Sequence, residues 1–301
     1  MIKAEAARLG FSACGMAPAG FVGEKEAEYL KEWLSSGKHA GMSYLENYYE
    51  KRCDPRLLME GAQSIVSLAL NYFPEKKLAG GQYQFAWYAY GKDYHEVMKA
   101  KLRSLLEYIN GLVPVTGRLF CDTAPVLERY WAWRAGLGWI GKHTQLIIPF
   151  AGSCFFLGEL LLDVELEYDI PQRNRCGRCA RCLNACPTGA LEQSGKLNAN
   201  RCLSYLTIEN RGVIPHEQAE VLRRRIYGCD ECQKVCPWNR FAVPTKEEAF
   251  FPSEEFMQAT PLFWQNLTLE EYRTLFKGSA VKRATFEGLK RNIGAMTESE
   301  D

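Results

Sequence analysis

Seven of the chain's twelve cysteines fall in two short runs, Cys176-x2-Cys179-x2-Cys182-x3-Cys186-Pro187 and Cys229-x2-Cys232-x3-Cys236-Pro237. The first spacing is one that holds cubane iron–sulfur clusters, with the fourth cysteine, before proline, ligating the other cluster of a pair. The second run has only three cysteines, so two four-iron clusters require an eighth ligand. Cys202, in Arg201-Cys202-Leu203-Ser204-Tyr205 between the runs, is the candidate. The expected assignment is Cys176, Cys179, Cys182 and Cys236 on one cluster, with Cys186, Cys202, Cys229 and Cys232 on the other. A chain built around such a segment moves electrons.

Two plainer explanations compete. Paired C-x2-C motifs also hold structural zinc, but a zinc ribbon needs four of these eight cysteines. The tight triple of Cys176, Cys179 and Cys182 suits one face of a cubane better than a tetrahedral ion, and Cys-Pro closes both runs in the ferredoxin manner. A disulfide framework suits small secreted domains, whereas this chain has 301 residues and no leading signal peptide.

That length accommodates one large domain and a small one, and 47% hydrophobic residues with 12% aromatics support a packed core. The N-terminus lacks an apolar export segment and a twin arginine, and no apolar stretch is long enough to span a bilayer. A soluble cytoplasmic protein is expected. The net charge of +1 announces no nucleic-acid partner. Basic residues are nevertheless clustered: Arg173, Arg175, Arg178 and Arg181 in the first run, Arg223, Arg224 and Arg225 before the second. Lys282, Arg283, Lys290 and Arg291 follow near the C-terminus. Such a face suits phosphates, or offsets the negative charge of cluster–thiolate centres.

Residues 1 to about 50 read as helical, 64–72 as a buried strand, and 94–110 as an amphipathic helix. Turn and strand follow at 114–121, helix at 124–136, and strands at 146–148 and 154–162. The predicted class is α+β: an N-terminal α/β domain over 1–165, a cluster domain over 166–245, and a short helical extension over 246–301.

Three further stretches stand in order around the cysteine runs. They are Tyr90-Gly91-Lys92-Asp93-Tyr94-His95; Asp122-Thr123-Ala124-Pro125-Val126-Leu127-Glu128-Arg129 leading to Gly138-Trp139-Ile140-Gly141-Lys142; and Arg201 to Glu209 with Ile226 to Cys232. In these the chain resembles the epoxyqueuosine reductases, from near its N-terminus to about residue 295. The resemblance implies an N-terminal domain that holds base-off cobalamin and a bacterial ferredoxin-like domain with two [4Fe-4S] clusters. The implied substrate is tRNA carrying epoxyqueuosine at the wobble position, fed by an external low-potential electron donor, in a monomer away from membranes. Longer members append helical repeats that help grip the tRNA, and this sequence resembles the short form without them.

The resemblance also distributes roles. Asp122 is the expected general acid, because an alkoxide leaves poorly without a proton; burial is expected to keep it partly protonated. Its sequence context alone favours a helix N-cap instead. Arg52, Asp122, Arg129, Leu146, Leu157, Ser204, Asp230 and Glu231 are the implied cobalamin neighbours, Leu146 and Leu157 through their backbones. Asp93-Tyr94-His95 partly mimics a cobalt-ligating Asp-x-His-x-x-Gly motif, but Met98 replaces the glycine, so His95 is read as lining the site. Cys14, Cys53, Cys121 and Cys154 are expected to be buried thiols. Two other functions fit less well: a dehalogenase-type cobalamin reductase, and a plain electron carrier that leaves 1–165 without a purpose.

Overall fold

In the computed structural model, which describes residues 1–297, four strands form a sheet in the order Ala13–Pro18, Ser64–Asn71, Phe155–Leu162, Gly117–Phe120. The two central strands are apolar runs because both of their faces are covered. Val66, Leu68, Leu70, Phe156, Leu160 and Leu162 join the core beneath the helix Tyr94–Leu112. Ile65, Ala69 and Leu161, one residue out of phase, join a second core beneath the helix Glu128–Arg134. Helix Tyr94–Leu112 buries Met98, Leu102, Leu105 and Ile109, one stripe at helical spacing, each burial contributing about 2 kcal/mol. It lies close to the sheet because Gly158 has no side chain; a Cβ there would meet Met98 at 2.6 Å and Leu102 at 3.0 Å.

Two expectations change. Every neighbouring pair in this sheet is antiparallel, so the N-terminal unit is α+β rather than α/β. Alternating helices and strands do not reveal strand direction; pairing does. The supposedly all-helical first fifty residues contain the edge strand Ala13–Pro18, registered on Ser64–Asn71 from Ala13↔Ala69 to Pro18↔Ser64. Its small residues carry little strand propensity of their own, and tertiary pairing overrides it. Gly15 is obligatory there, since a Cβ would collide with the carbonyl oxygen of Ala135.

The cysteine-rich segment carries two short helices, Arg181–Asn184 and Glu231–Lys234, that pack on each other. Strand Arg225–Tyr227 pairs in parallel with Gln84–Phe85, stitching this segment to the N-terminal part. The C-terminal helix Thr285–Thr297 packs on that strand and on Leu203–Ile208. Its buried Asn292 donates to the carbonyls of Thr207 and Ile226, both at 2.8 Å. Within the predicted helical extension, the helix Leu269–Leu275 opens on a Thr268–Glu271 capping box. One apolar cluster runs from Ala6 through Leu203 to Met296 and joins all parts. Among the described residues no helix is long and apolar enough to cross a membrane.

Candidate active site and cluster-binding cysteines

All twelve cysteines are unbridged. Cys182 is raised above its ordinary pKa by burial and then by Cys176 and Cys179; Cys236 is raised by burial and then by Cys176 and Cys182. These four line one cavity of about 330 Å³ with Lys142, His143 and Trp238. Burial likewise raises Cys202, with Cys186 adding to it, and Cys229, to about 12, with Cys202 adding. Cys232 is raised by burial and by Cys229, Cys202 and Cys186. Cys176, Cys179, Cys182 and Cys236 thus share one cavity, and Cys186, Cys202, Cys229 and Cys232 are close enough to sense one another. Backbone N–H groups of Ser204 and Tyr205 address Cys202, and that of Glu231 addresses Cys229, bonds that favour thiolates. Among the described residues no three His, Cys, Asp or Glu converge as they would on a single ion. All-thiol sets of this kind are the ligands four-iron clusters use.

Asp122 stands on the turn after Gly117–Phe120 with φ of 59°, a left-handed conformation that costs a non-glycine residue about 1 kcal/mol. Tyr94 Oη donates to its Oδ2 at 2.8 Å, and His95 Nε2 lies 3.2 Å from the same oxygen. Its backbone N–H donates to the carboxyl of Glu128. Its side chain remains 59% accessible, and Oδ1 has no partner among the described residues. The N-cap alternative fails: the helix begins only at Glu128, with Leu127 at its cap and no side-chain bond. On the far side of the imidazole, His95 Nδ1 lies 2.6 Å from Asp93 Oδ1.

Burial opposes a charge on His95, but its bonds to Asp122 and Asp93 outweigh it and raise its pKa to about 9. The same bond from His95, helped by Tyr94, holds Asp122 below the usual carboxylate range. At neutral pH an imidazolium thus lies between two carboxylates. This corrects the expectation that burial keeps Asp122 protonated: two donors on one oxygen outweigh desolvation.

Behind this turn lie two carboxyls whose roles the sequence did not reveal. Burial pushes Glu128 up to about 8. Glu159 is fully buried with neither oxygen partnered among the described residues, and burial followed by Glu128 raises it well above its ordinary value. A single glutamate within the otherwise apolar Phe155–Leu162 was the available signal. Tyr94 was also overlooked, although it sits within the Asp93–His95 block.

Arg129 Nη1 donates to the Thr144 carbonyl at 2.8 Å and lies 3.4 Å from its hydroxyl; Nε and Nη2 have no partner among the described residues. The guanidinium is exposed, yet its surroundings desolvate it and lower its pKa. Arg52 donates to the carbonyls of Asn47 and Tyr44, both at 3.2 Å, and the Tyr44 hydroxyl is close enough to sense Asp122 and Arg283. The side chain of Leu146 is buried, and that of Leu157 packs on the same core. Pairing of Phe155–Leu162 with Gly117–Phe120 stops at Glu159, leaving 155–158 without a strand partner on that side. An uncommitted guanidinium and an unpaired strand edge fit a large ligand rich in amide and phosphate groups, as cobalamin is.

The other predicted neighbours lie in the cluster segment. Ser204 serves Cys202 through its backbone. Asp230 is buried and accepts the Trp87 N–H at 2.8 Å, while Glu231 pairs with Arg225 at 3.0 Å and Lys234 at 3.1 Å. Asp230 is thus tied to the N-terminal part through Trp87, and Glu231 to basic neighbours within the cluster segment. Of the C-terminal basic residues, Arg283 is held by Glu209 at 2.7 and 2.8 Å, and Arg291 donates to the carbonyls of Leu206, Asn210 and Gly212. Lys282 is exposed. Cys53, Cys121 and Cys154 are buried and Cys14 half-buried.

Residues 175–239 match the 4Fe-4S double cluster binding domain family, and residues 52–123 match the family described as epoxyqueuosine reductase QueG, DUF1730. An epoxyqueuosine reductase of Cellulophaga algicola is 46% identical over 294 residues, covering 97% of this chain and 96% of its own. The crystal structure of an epoxyqueuosine reductase with a tRNA-Tyr epoxyqueuosine-modified stem loop superposes with a TM-score of 0.91 at 30% identity, over 99% of this chain and 80% of that one. The enzyme from Bacillus subtilis, with the catalytic loop that bears its aspartate swung out of the active site, superposes at 0.90 with 29% identity, over the same shares. Identity along nearly the whole chain decides against the dehalogenase and simple-carrier readings: the chain belongs to the epoxyqueuosine reductases, oxidoreductases of queuosine biosynthesis.

Proposed function

We propose that the chain reduces epoxyqueuosine to queuosine at the wobble position of tRNA, two electrons and two protons removing the epoxide oxygen as water. The observation that carries the mechanism is Asp122 on its left-handed turn, with Tyr94 and His95 on one oxygen and the other unpartnered. Asp122 is the group that meets the epoxide oxygen. As negative charge develops there, the proton held between His95 and Asp122 moves onto Asp122 and then onto that oxygen, and solvent supplies the second proton that completes water. Asp93 keeps the imidazole oriented and stabilises its charge. Tyr94 fixes the carboxylate in place, stacked on His95 with ring centroids 4.1 Å apart.

Cobalamin, when bound base-off, supplies the low-potential cobalt for the carbon–oxygen cleavage, and the clusters supply electrons singly. Arg129, Arg52 and the backbones of Leu146 and Leu157 are the residues that would hold it, with Ser204 on the cluster side. Cys176, Cys179, Cys182 and Cys236 would bind one [4Fe-4S] cluster and Cys186, Cys202, Cys229 and Cys232 the other. We take 1–165 as the cobalamin part, 166–245 as the cluster part and 246–301 as a short extension, of which 298–301 lie outside the described residues. Lys282 is the C-terminal cation left to meet tRNA phosphate.

The deciding experiment is nucleoside analysis of epoxyqueuosine tRNA treated with an Asp122→Asn variant. Turnover is expected to fall by about 10²- to 10⁴-fold. Wild-type turnover with clusters and cobalamin retained would exclude Asp122 as the acid.

A further inference from the structure

A cleft of about 760 Å³ opens on the surface beside Cys236, and neither Asp122, His95 nor Arg129 lines it. Four exposed cations, Lys77, Arg181, Lys234 and Arg240, line it, and no aspartate or glutamate does. Lys234 is offset by Glu231 at 3.1 Å. Lys77 lies over the rings of Phe73 and Trp87, at 4.4 and 4.5 Å, so its charge is positioned at the cleft rather than trailing in solvent. Cys236 borders both this cleft and the cavity that holds Cys176, Cys179 and Cys182. A basic surface therefore abuts one cysteine of that set and does not include Asp122.

We propose that this cleft is the docking surface for a small acidic one-electron carrier protein, which reduces the cluster on Cys176, Cys179, Cys182 and Cys236. The inference rests on the cluster assignment above. In each encounter the carrier loses one electron and the cluster gains it, so two encounters supply one turnover. Electron transfer falls steeply with distance, which favours contact at a ligand sulfur. Complementary charge speeds a transient encounter without a large interface. RNA is the other polyanion in the system, but its reacting base must reach Asp122, outside this cleft.

The test uses reconstituted holoenzyme and reduced flavodoxin as the acidic carrier, comparing wild type with a Lys77→Glu, Arg240→Glu double variant. Stopped-flow absorbance follows flavodoxin hydroquinone becoming semiquinone as a cluster bleaches. The variant's second-order rate should fall about tenfold or more at low salt, and the wild-type rate should fall with added salt. Dithionite should bleach the clusters of both proteins at equal rates. Flavodoxin affinity, read by fluorescence anisotropy without turnover, should weaken in parallel. An unchanged carrier rate in the variant, or a wild-type rate indifferent to salt, overturns the proposal. Weakened binding of a tRNA stem loop with an unchanged carrier rate also overturns it and gives the cleft to RNA. If dithionite bleaches no cluster in the wild type, the cluster assignment itself fails and the proposal with it. Should the double variant lose iron, Lys77→Gln and the wild-type salt dependence decide in its place.

Discussion

Replacing His95 with glutamine removes the cation between Asp93 and Asp122 while keeping an amide donor. The rise of the imidazole from 6.5 to about 9 corresponds to roughly 3 kcal/mol of preference for the charged ring. Two carboxylates share that preference, and Asp122 is 59% accessible, so solvent screening leaves about 1 kcal/mol for the Asp122 arm. Because the folded-state value is raised, the stabilisation is complete below pH 6.5 and is lost as the pH climbs through about 9. The pH profile of kcat/KM should therefore show an alkaline limb near 9 in the wild type, where the proton leaves His95. In His95→Gln the limb should disappear and Asp122 should drift back toward an ordinary carboxylate. Histidine-selective NMR offers a direct check, since the chain has four histidines. His143, buried and lowered to about 4, titrates far from His95 and serves as an internal contrast. A wild-type His95 that titrates near 6.5, or an alkaline limb that survives the substitution unchanged, would refute the shared-proton mechanism.

Two further outcomes are expected. Glu159→Gln should raise the thermal midpoint by about 3 °C at pH 8.5, because wild-type Glu159 and Glu128 resist ionisation in the fold but ionise freely once unfolded. Below the ordinary carboxylate range the two proteins should melt together; an equal shift at pH 4 and pH 8.5 would rule out buried ionisation as the cause. Cys202→Ser should leave about four irons per chain instead of about eight, sparing the cluster on Cys176, Cys179, Cys182 and Cys236. A full complement of iron in that variant would remove Cys202 from the ligand set.

The double-cluster segment was legible because ligand spacing is local, a matter of two or three residues. Helix Tyr94–Leu112 was legible for the same reason, its apolar stripe recurring at helical spacing. The strand Ala13–Pro18 was not, since nothing in its small residues prefers a strand until Ser64–Asn71 lies beside it. Asp230 and Glu231 show the same limit: proximity in sequence to cluster cysteines did not tell where their side chains turn, and Trp87 and Arg225 decided that.

The proposed general acid illustrates the division most clearly. Sequence resemblance singled out Asp122 but pointed to a carboxyl protonated by burial. Its charge depends on donors 27 and 28 residues away, His95 and Tyr94, which the start of one helix delivers to one oxygen. By itself the sequence singled out the candidate cluster cysteines and Asp122, through local spacing and resemblance. Only the tertiary structure decided where the proton rests, because a pKa is set by neighbours in space, and those neighbours come from another element of the fold.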